Sequence, residues 1–417
     1  MVRKLKNALY FLIARYFRFF ARIRLQRWAP RVVVVTGSNG KTTALNLIEV
    51  QLGTAARYSH GANSSFGIPF DILGLKRESY SVWEWPLFAL CAPFAAWKKP
   101  YVEKIYVVEA DCDRPYEGKF LSELLRPEVT VWLSSARTHS ANFDKSVRTH
   151  AFETIDEAIA HEFGYFVEHT SKLVIVSDDE SAIEKQLTRT RAEIFRIRKN
   201  ELERYEVGIS GTEFVIRGTK YHVPLLLPQE VFYAIAASVK IAGYFGKNPT
   251  NELWKLVVPP GRSSIFKGVK NTVIIDSSYN TNAASVEAIL RMVEKFPSRD
   301  TWLVLGDLTE QGAEEKEEHE KIARLVAAGS YGKIILVGPR FARWGMPILK
   351  DKAVSFEMPR AALDYLEAQL KGGETLVFKG ARFLEGIVEH LLADRADAAK
   401  LCRREAVWQK RRAQWGL

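Results

Sequence analysis

A run of four valines followed by a glycine-rich loop decides the fold: residues 32–43 read Val-Val-Val-Val-Thr-Gly-Ser-Asn-Gly-Lys-Thr-Thr. Four consecutive β-branched residues are typical of a strand that is buried on both faces of a parallel sheet. The chain then turns on two glycines, and the residues from Thr42 onward have the composition of a helix. The stretch therefore predicts a strand, a turn and a helix in direct succession.

This succession is typical of a phosphate-binding loop. Backbone N–H groups close around phosphate oxygens in such a loop, and the helix N-terminus adds partial positive charge. Lys41 would supply a full charge, and the Thr42 hydroxyl can ligate Mg²⁺. The glycine spacing is irregular, because Val35 stands where the usual loop has its first glycine. A plain glycine turn is the alternative, but Lys followed by Thr serves no packing purpose at a helix start.

Length and composition indicate a folded protein of two or three domains. The chain has 417 residues, of which 47% are hydrophobic and 26% charged, and its formal net charge is +11. Such a charge suits a nucleic acid, an anionic membrane surface or an anionic small substrate. The three cysteines, Cys91, Cys112 and Cys402, have no C-x-x-C spacing. They predict neither a disulfide framework nor a zinc site, and they favour a reducing compartment.

The N-terminal segment is basic and aromatic. Residues 1–31 contain nine basic residues and no acidic one. Arg15, Arg18 and Arg22 fall on one helical stripe, and apolar residues lie largely elsewhere, which predicts a basic amphipathic helix over residues 1–30. The uncharged run 7–14 is too short to span a membrane, and no small-residue cleavage site marks a signal peptide. Peripheral membrane contact through residues 1–28 and packing against the chain's own body both stay open.

Candidate site residues follow the next strands. The strand 104–109 ends in Glu109, and a carboxylate beside a phosphate loop can hold Mg²⁺ directly or through water. The glycine-rich loop 61–69 can contact a nucleotide or a substrate, or simply make a turn. A strand within 127–135 precedes His139, for which a structural role is commoner than metal binding. Further along, the pattern predicts a strand at 173–176, hairpins over 205–227 and an alanine-rich helix over 232–245.

A second domain is predicted to follow Pro259-Pro260-Gly261-Arg262, since two prolines and a glycine stop any regular element. Strands at 272–276, 302–305, 333–337 and 375–378 alternate with helices that begin near 284, 314 and 383. This alternation predicts a second parallel sheet in a Rossmann-like α/β domain. The polar loops 276–282 and 306–310 follow strand ends, where such sheets bind ligands, although ordinary caps and turns explain them equally well.

Taken together, these residues resemble the Mur ligase family, the ATP-dependent amide-forming enzymes of cell-wall precursor synthesis. The resemblance runs from about residue 31 to about 394, and the family's own shorter phosphate loop accounts for the irregular glycine spacing. It rests on these motifs: Thr36-Gly37-Ser38-Asn39-Gly40-Lys41-Thr42, Asn63-x-x-x-Gly67-x-Pro69, Asp276-x-Ser278-Tyr279-Asn280-x-Asn282, Gly306-Asp307-x-x-Glu310-x-Gly312 with His319, and Lys379-Gly380-Ala381-Arg382.

The resemblance implies a fold of four segments and a site for ATP and Mg²⁺. The segments are the basic helix (1–30), a central ATP-binding domain (31–258), a C-terminal α/β domain (259–394) and a basic tail (395–417). Lys41, Glu109 and His139 would be catalytic; Thr42 and Glu109 would ligate one Mg²⁺, and His139 a second. The nucleotide would also contact Gly37, Ser38, Asn39, Gly40, Thr43, Arg262, Asp276, Asn280 and Asn282, with Asp276 at the ribose.

The resemblance also implies an activity. A substrate carboxylate would attack the γ-phosphate of ATP, and an amine would attack the resulting acyl phosphate. The most similar branch adds D-alanyl-D-alanine to UDP-N-acetylmuramoyl-tripeptide, so a peptidoglycan precursor and a dipeptide or amino acid are the expected substrates. We expect a monomer that binds no nucleic acid and works in the cytoplasm, at the inner face of the membrane.

Three departures from the family pattern leave alternatives open. The usual N-terminal UDP-sugar-binding domain has no counterpart. The lysine that many members carbamylate falls on Phe163, with Glu162 as a candidate replacement, and the usual His-Asn pair appears as Gln229-Glu230. A ligase for another, membrane-associated carboxylate and a nucleotide-binding partner subunit without ligase activity are therefore the alternatives.

Overall fold

The chain forms two compact units that alternate along the sequence. The computed structural model describes residues 2–77, 83–297, 300–381 and 383–417, and it describes side chains from Tyr10 onward, so the predicted motif residue Arg382 lies outside the described residues. The first unit comprises Met1–Ala136, Lys145–Glu201 and Tyr233–Thr250, and the second comprises Arg137–Asp144, Leu202–Phe232 and Asn251–Leu417. The domain boundaries expected at residues 30, 258 and 394 stay predictions.

The first unit is built on a parallel sheet with the valine strand at its centre. Its described strands lie in the order β2-β3-β1-β4-β5-β6, and all neighbours are parallel. They are β1 (Arg31–Thr36), β2 (Ala56–Tyr58), β3 (Ile105–Glu109), β4 (Val129–Trp132), β5 (Leu173–Ser177) and β6 (Glu193–Ile197). Val33 and Val34 are fully buried, because β1 has a strand on each side and helices on both faces. The α/β architecture predicted for this region is confirmed.

Helices cover this sheet and connect its strands. Those that begin before residue 250 are α1 (Val2–Trp28), α2 (Lys41–Leu52), α3 (Gly67–Leu73), α4 (Glu84–Trp97), α5 (Glu117–Leu125), α6 (Asp144–Arg148), α7 (Ile155–Glu168), α8 (Ser181–Glu184) and α9 (Val231–Tyr244). The helix predicted over 232–245 corresponds to α9. Helix α4 has no counterpart among the sequence predictions.

The second unit carries a hairpin sheet and a larger α/β sheet. The hairpins, predicted over 205–227, are β7 (Leu202–Gly208), β8 (Gly211–Ile216) and β9 (Thr219–Val223), all antiparallel. The larger sheet has the order β10-β11-β15-β12-β13-β14. Its strands are β10 (Ser264–Lys267), β11 (Val273–Ser277), β12 (Thr301–Gly306), β13 (Lys333–Val337), β14 (Val354–Phe356) and β15 (Thr375–Lys379).

Strand β10 makes this sheet mixed rather than purely parallel. It runs antiparallel to β11, whereas the other described strands are parallel to their neighbours. The short connection 268–272 explains the difference, because a parallel pairing needs a crossover of a dozen or more residues. The helices of this unit are α10 (Ala283–Val293), α11 (Glu315–Ala328), α12 (Met346–Leu349), α13 (Pro359–Gln369), α14 (Leu384–Leu391) and α15 (Ala406–Ala413).

Each face of the larger sheet has its own apolar core. Alternate strand residues point to opposite faces, so Ile275 and Leu303 pack in one core while Ile274 and Val304 pack in the other. Helices α10 and α11 cover the first core, and α13 and α14 cover the second. This three-layer arrangement is the α/β fold that the alternation of strands and helices predicted.

Helix α1 packs against the body of the first unit. Ala14, Phe17, Ala21 and Trp28 are buried along one side of the helix. Arg24 is also buried, and its Nη1 donates to the carbonyl oxygens of Leu73 and Ala95, each at 2.9 Å. These hydrogen bonds join the buried guanidinium on α1 to the C-terminal ends of α3 and α4. Within the described ranges, no helix combines the length and the apolarity that crossing a bilayer requires.

The packing of α1 predicts a large difference between two phenylalanines that lie on opposite sides of the helix. Phe17 is 1% exposed and makes an edge-to-face contact with Phe70, whereas Phe19 is 60% exposed. We expect Phe17→Ala to lower the free energy of unfolding by about 3–5 kcal/mol, because it leaves a cavity in the core. Phe19→Ala is the matched control, with a change within about 0.5 kcal/mol. Urea unfolding followed by circular dichroism measures both, and equal losses would contradict this packing.

Candidate active site

The loop between β1 and α2 has the backbone of a phosphate-binding loop. Gly37 has φ +116° and Gly40 has φ +79°, both in the left-handed region. A Cβ atom on Gly37 would lie only 2.6 Å from the carbonyl oxygen of Ser134, so that position has no room for a side chain. Helix α2 begins at the next residue after Gly40. Its first N–H groups and its dipole therefore face the loop, which is what an anion site requires.

The residues after β4 hold this loop in place. The backbone N–H of Ser38 donates to Ser134 O at 3.1 Å, and its hydroxyl donates to Ala136 O at 2.6 Å. The N–H of Asn39 donates to Ser134 Oγ at 2.8 Å. Two neighbouring parallel strands thus end in loops that are tied to each other, as expected at the carboxyl edge of an open α/β sheet.

Lys41 is buried, and its ammonium group is fully paired. Its Nζ donates to Gly37 O at 2.6 Å and lies 2.9 Å from Asp111 Oδ2. Burial by itself would lower the pKa of Lys41, but the carboxylates of Asp111 and Glu109 raise it above its ordinary value. The side chain therefore carries a full positive charge at the start of α2, where a phosphate would bind.

Thr42 and Glu109, both predicted as Mg²⁺ ligands, lie together. The Thr42 hydroxyl donates to Glu109 Oε2 at 2.9 Å. Glu109 is the last residue of β3 and pairs in register with Val35 of β1, and its N–H donates to Ser59 Oγ at 3.0 Å. A hydroxyl and a carboxylate are hard oxygen ligands of the kind Mg²⁺ prefers, so the donor set fits this ion. Their role as ligands stays a prediction.

Asp111 is a site residue that the sequence analysis missed. It follows the end of β3 by two residues, and its N–H donates to Asn63 O at 2.8 Å, so the glycine-rich loop 61–69 lies beside it. The sequence does contain a pattern that could have indicated this residue, since acidic residues alternate past the strand end in Glu109-Ala110-Asp111-Cys112-Asp113. A carboxylate close to a phosphate-loop lysine keeps that lysine both charged and positioned.

Glu162, the candidate replacement for a carbamylated lysine, is used elsewhere. Its carboxylate oxygens accept hydrogen bonds from the backbone N–H groups of Tyr116 at 2.7 Å and Gly118 at 3.0 Å, which caps the N-terminus of α5. A Cβ on Gly118 would lie 2.0 Å from Glu162 O, so α5 and α7 touch backbone to backbone. Phe163 is fully buried, with its ring 6.0 Å from that of Trp132. Glu162 and Phe163 therefore both serve the packing of this unit.

This cap predicts a specific pH dependence of stability. Burial raises the pKa of Glu162 from 4.5 to about 7. The folded protein therefore binds this proton more tightly than the unfolded chain does, and the stabilisation declines as the pH rises from about 4.5 to about 7. Relative to Glu162→Gln, which cannot titrate, the wild type should lose up to about 3 kcal/mol between pH 5 and pH 8. Thermal unfolding of both proteins across this range measures the difference; a constant difference would contradict the assignment.

In the second unit, Asp276 is a buried carboxylate with one unpartnered oxygen. Its Oδ1 accepts a hydrogen bond from the N–H of Ser278 at 3.0 Å, and Oδ2 has no hydrogen-bond partner among the described residues. Burial raises the pKa of this carboxyl group. Such an orphaned acceptor is unusual in a core and is a common feature of binding sites. The predicted contact between Asp276 and a ribose hydroxyl is compatible with this geometry and stays a prediction.

Arg262 and Asn282, two further residues predicted to contact the nucleotide, have different surroundings. The Arg262 guanidinium lies over the Tyr279 ring, 5.1 Å from its centroid. Asn282 caps α10: its Oδ1 accepts from Ser285 N at 2.9 Å, in a reciprocal capping box. The loop thus ends in an ordinary helix cap at Asn282, one of the two roles that its sequence allows.

Lys379 adds a buried amine to this loop. It ends β15, and its Nζ donates to the carbonyl oxygen of Asn280 at 2.7 Å. Burial, together with the positive charge of Arg262, lowers the pKa of Lys379 to about 7, although Asp276 opposes the shift. A lysine in this environment holds its proton less tightly than a lysine in water does. The motif Lys379-Gly380-Ala381 therefore places a titratable group beside Asn280.

His139 belongs to the second unit, where it pairs with Glu310. Its Nδ1 lies 2.6 Å from Glu310 Oε2, and the hydrogen bond from His139 lowers the pKa of that carboxyl group. An Nδ1–H group donated to a carboxylate fixes the tautomer in which Nε2 carries the lone pair, and this is the form that ligates a metal. Metal binding by His139 stays a prediction, and Glu310 is the carboxylate that would orient it.

Asp307 and His319, which belong to the same motif as Glu310, make hydrogen bonds that position the loop carrying Glu310. Asp307 is fully buried and accepts hydrogen bonds from the backbone N–H groups of Phe341 at 3.0 Å and Arg340 at 3.3 Å. His319 Nε2 accepts from Leu308 N at 3.0 Å, and burial lowers the pKa of this imidazole. Both side chains fix the course of the loop that carries Glu310, which explains why the motif extends to a histidine several residues further on.

The C-terminal segment is tied to the loop 276–282. Arg403 donates to the carbonyl oxygens of Ser278 and Tyr279 and forms an ion pair with the buried Glu385 at 3.2 Å. Cys402 Sγ lies 3.8 Å from Ser278 Oγ. The sequence alone indicates only a basic tail here, because the loop residues that Arg403 contacts, Ser278 and Tyr279, lie more than a hundred residues earlier in the chain.

This contact predicts an effect on loop dynamics. Arg403→Ala removes two hydrogen bonds to the loop, each contributing about 1 kcal/mol, so amide hydrogen exchange in residues 278–281 should accelerate about thirtyfold. Arg404→Ala is the matched control, because Arg404 bonds to Glu389 on α14 rather than to the loop. Hydrogen–deuterium exchange mass spectrometry measures both variants. Equal exchange in the two would show that the tail does not hold the loop.

Comparison with known proteins agrees with this fold. Residues 261–382 match the family model described as Mur ligase, glutamate ligase domain. The structure is similar to that of the MurF ligase from Thermotoga maritima in complex with ADP, with a TM-score of 0.72 and 20% identity over 90% of this chain and 82% of that one. The predicted resemblance to the Mur ligase family is therefore confirmed.

Two relatives in sequence carry the same name. The chain is 25% identical to the UDP-N-acetylmuramoyl-tripeptide–D-alanyl-D-alanine ligase of Bacillus subtilis, over 89% of this chain and 78% of the relative. It is 23% identical to the ligase of the same name from Escherichia coli, over 75% of this chain and 66% of the relative. Folylpolyglutamate synthase of Mycobacterium tuberculosis, solved with ADP and AMPPCP, shares the fold at a TM-score of 0.58 and 15% identity.

Proposed function

We propose that this protein is an ATP-dependent, ADP-forming ligase that joins a carboxylate to an amine in cell-wall precursor synthesis. The favoured reaction adds D-alanyl-D-alanine to the carboxylate of a UDP-N-acetylmuramoyl-tripeptide, which is the reaction named for its relatives. The observation that carries the proposal is the buried Lys41, paired with Asp111 at 2.9 Å at the start of α2. Such an ammonium group has a clear use in binding a nucleotide's phosphates and none in packing.

The chemistry follows from what these groups do. The N-terminus of α2 and the loop N–H groups would hold the phosphates, and Lys41 would offset the negative charge that develops as a carboxylate attacks the γ-phosphate. Asp111 and Gly37 O hold Lys41 Nζ in one position, so little reorganisation is needed in the transition state. The acyl phosphate then reacts with the amine, and a C–N bond replaces the C–O bond as phosphate leaves.

We also propose Mg²⁺ as the second cofactor. Thr42 and Glu109 would hold it, since their oxygens lie 2.9 Å apart beside the phosphate loop. When bound, the ion would neutralise phosphate charge and orient the γ-phosphate. His139 would hold a second Mg²⁺, which the pairing of its Nδ1 with Glu310 supports.

Location and partners complete the proposal. The substrates are small molecules, and the enzyme works in the cytoplasm at the inner face of the membrane, which residues 1–28 contact peripherally. The absence of acidic residues from this basic segment supports that contact. That the protein is a monomer without a nucleic-acid partner stays a prediction.

A nucleotide-binding subunit without ligase activity is the second candidate. Phe163 favours it, because this buried ring stands where many family members have the carbamylated lysine, and Glu162 is occupied in capping α5. The two candidates differ in one respect that an assay can detect: only the ligase couples ATP hydrolysis to both organic substrates.

A coupled assay distinguishes them. Phosphate release by the full chain should require ATP, Mg²⁺, a muramyl-tripeptide carboxylate and D-alanyl-D-alanine together, and mass spectrometry should detect the pentapeptide product. Lys41→Met should lower the rate at least about 1,000-fold, since it removes the charge at the phosphates. The exposed Lys76→Met is the matched control and should leave the rate unchanged. Phosphate release that is indifferent to both organic substrates would overturn the ligase proposal.

A further inference from the structure

Helix α4 presents an apolar stripe to the surface. Its exposed residues recur at intervals of three and four, so they lie on one side of the helix. They are Leu87 (58% exposed), Leu90 (70%), Phe94 (77%) and Trp97 (66%), with Trp83 (82%) in the turn before the helix. The opposite side is buried through Phe88, Ala92 and Ala95. The stripe is therefore fixed on the folded unit rather than carried by a loose segment.

Helix α1 carries a second apolar stripe next to the first. Leu12 (63% exposed), Tyr16 (40%) and Phe19 (60%) lie on the side of α1 away from its buried residues. The Tyr16 hydroxyl donates to the carbonyl oxygen of Ala89 on α4 at 2.7 Å, which places the two stripes side by side. We call this combined surface the α1/α4 face.

The α1/α4 face concentrates the exposed apolar surface of the chain. Among the described residues, 18 large hydrophobic side chains are exposed, and nine of them belong to this face. The nine are the exposed residues named above together with Ile13, which is 37% exposed. Scattered exposed hydrophobic residues are ordinary, but a contiguous patch marks an interaction site. Five of the nine are Trp, Tyr or Phe, the residues that are enriched where a protein meets the headgroup region of a bilayer.

The charges around the face identify its partner. Arg15 is exposed on α1, and Lys98 and Lys99 are exposed at the C-terminal end of α4. Residues 10–28 contain no acidic residue, and in residues 83–99 the only one is Glu84, whose carboxylate is within 3.7 Å of Arg77. A positive rim around an aromatic, apolar surface complements an anionic lipid headgroup layer.

We propose that the α1/α4 face docks on a phospholipid bilayer that contains anionic lipids, with α4 supplying most of the apolar contact. Both helices would lie in the plane of the interface, since their inner sides are buried in the protein. The inference rests on the membrane contact proposed for residues 1–28 and extends it to α4, which the sequence did not single out. It does not depend on ligase activity.

Vesicle flotation of the full chain tests this proposal. We expect binding to phosphatidylcholine vesicles that contain phosphatidylglycerol and much weaker binding to phosphatidylcholine alone. The double variant Leu90→Glu/Phe94→Glu should lower the partition coefficient at least about tenfold, because it puts charge into the apolar stripe. Leu325→Glu/Met358→Glu is the matched control, since these exposed apolar residues lie outside the α1/α4 face. Circular dichroism and thermal unfolding check that both double variants are folded.

The outcomes separate the possible occupants of the face. Unchanged flotation of the α4 variant, or no flotation of the wild type, would overturn the proposal. A concentration-dependent dimer in sedimentation analysis without lipid, abolished by Leu90→Glu/Phe94→Glu, would assign the face to a second copy instead. The coupled ligase assay on soluble substrates should be unaffected by this variant, so loss of vesicle binding and loss of catalysis are distinguishable results.

Discussion

The ion pair between Lys41 and Asp111 is the interaction on which the first unit's site depends. A buried ammonium group without a counter-charge would lose its proton or destabilise the fold. Its carboxylate partner follows β3, its carbonyl partner Gly37 follows β1, and the lysine itself opens α2. The pair therefore joins the two central strands and the helix at one point. The order of the strands in the sheet, which places β3 and β4 on either side of β1, brings these partners within reach of one another.

Much of the fold follows from local sequence patterns, and the exceptions have physical causes. The valine run determines β1, and the regular βα alternation after Gly261 determines the larger sheet. Helix α4 escaped prediction because both of its sides are apolar, so no amphipathic period marks it; one side faces the core and the other the surface. Strand β10 was missed because its antiparallel pairing with β11 depends on a short turn rather than on its own composition.

Some contacts of the candidate site follow from local sequence patterns, and others do not. That Thr42 and Glu109 lie together could be predicted, because one begins a helix and the other ends the neighbouring strand. The role of Glu162 could not, because it depends on the close contact of α5 and α7 at Gly118, which only the folded chain brings about. His139 has an ordinary sequence context, and its partner Glu310 lies 171 residues further along the chain. Pairings over such distances leave no local pattern, so neither the residues nor the resemblance to a family predicted this one.

The interleaving of the two units has a consequence for the order in which the chain can fold during synthesis. The last residue of the first unit is Thr250, so all of its parts have been translated before the large sheet of the second unit begins to emerge. The segments 137–144 and 202–232, in contrast, must wait for partners that are made later. His139 can pair with Glu310 only after residue 310 has been made, and Ser278 can pair with Arg403 only after residue 403 has been made. The phosphate loop can thus form early, while the loop around Asp276 gains its contacts with Arg403 more than 150 residues after the first unit has been made.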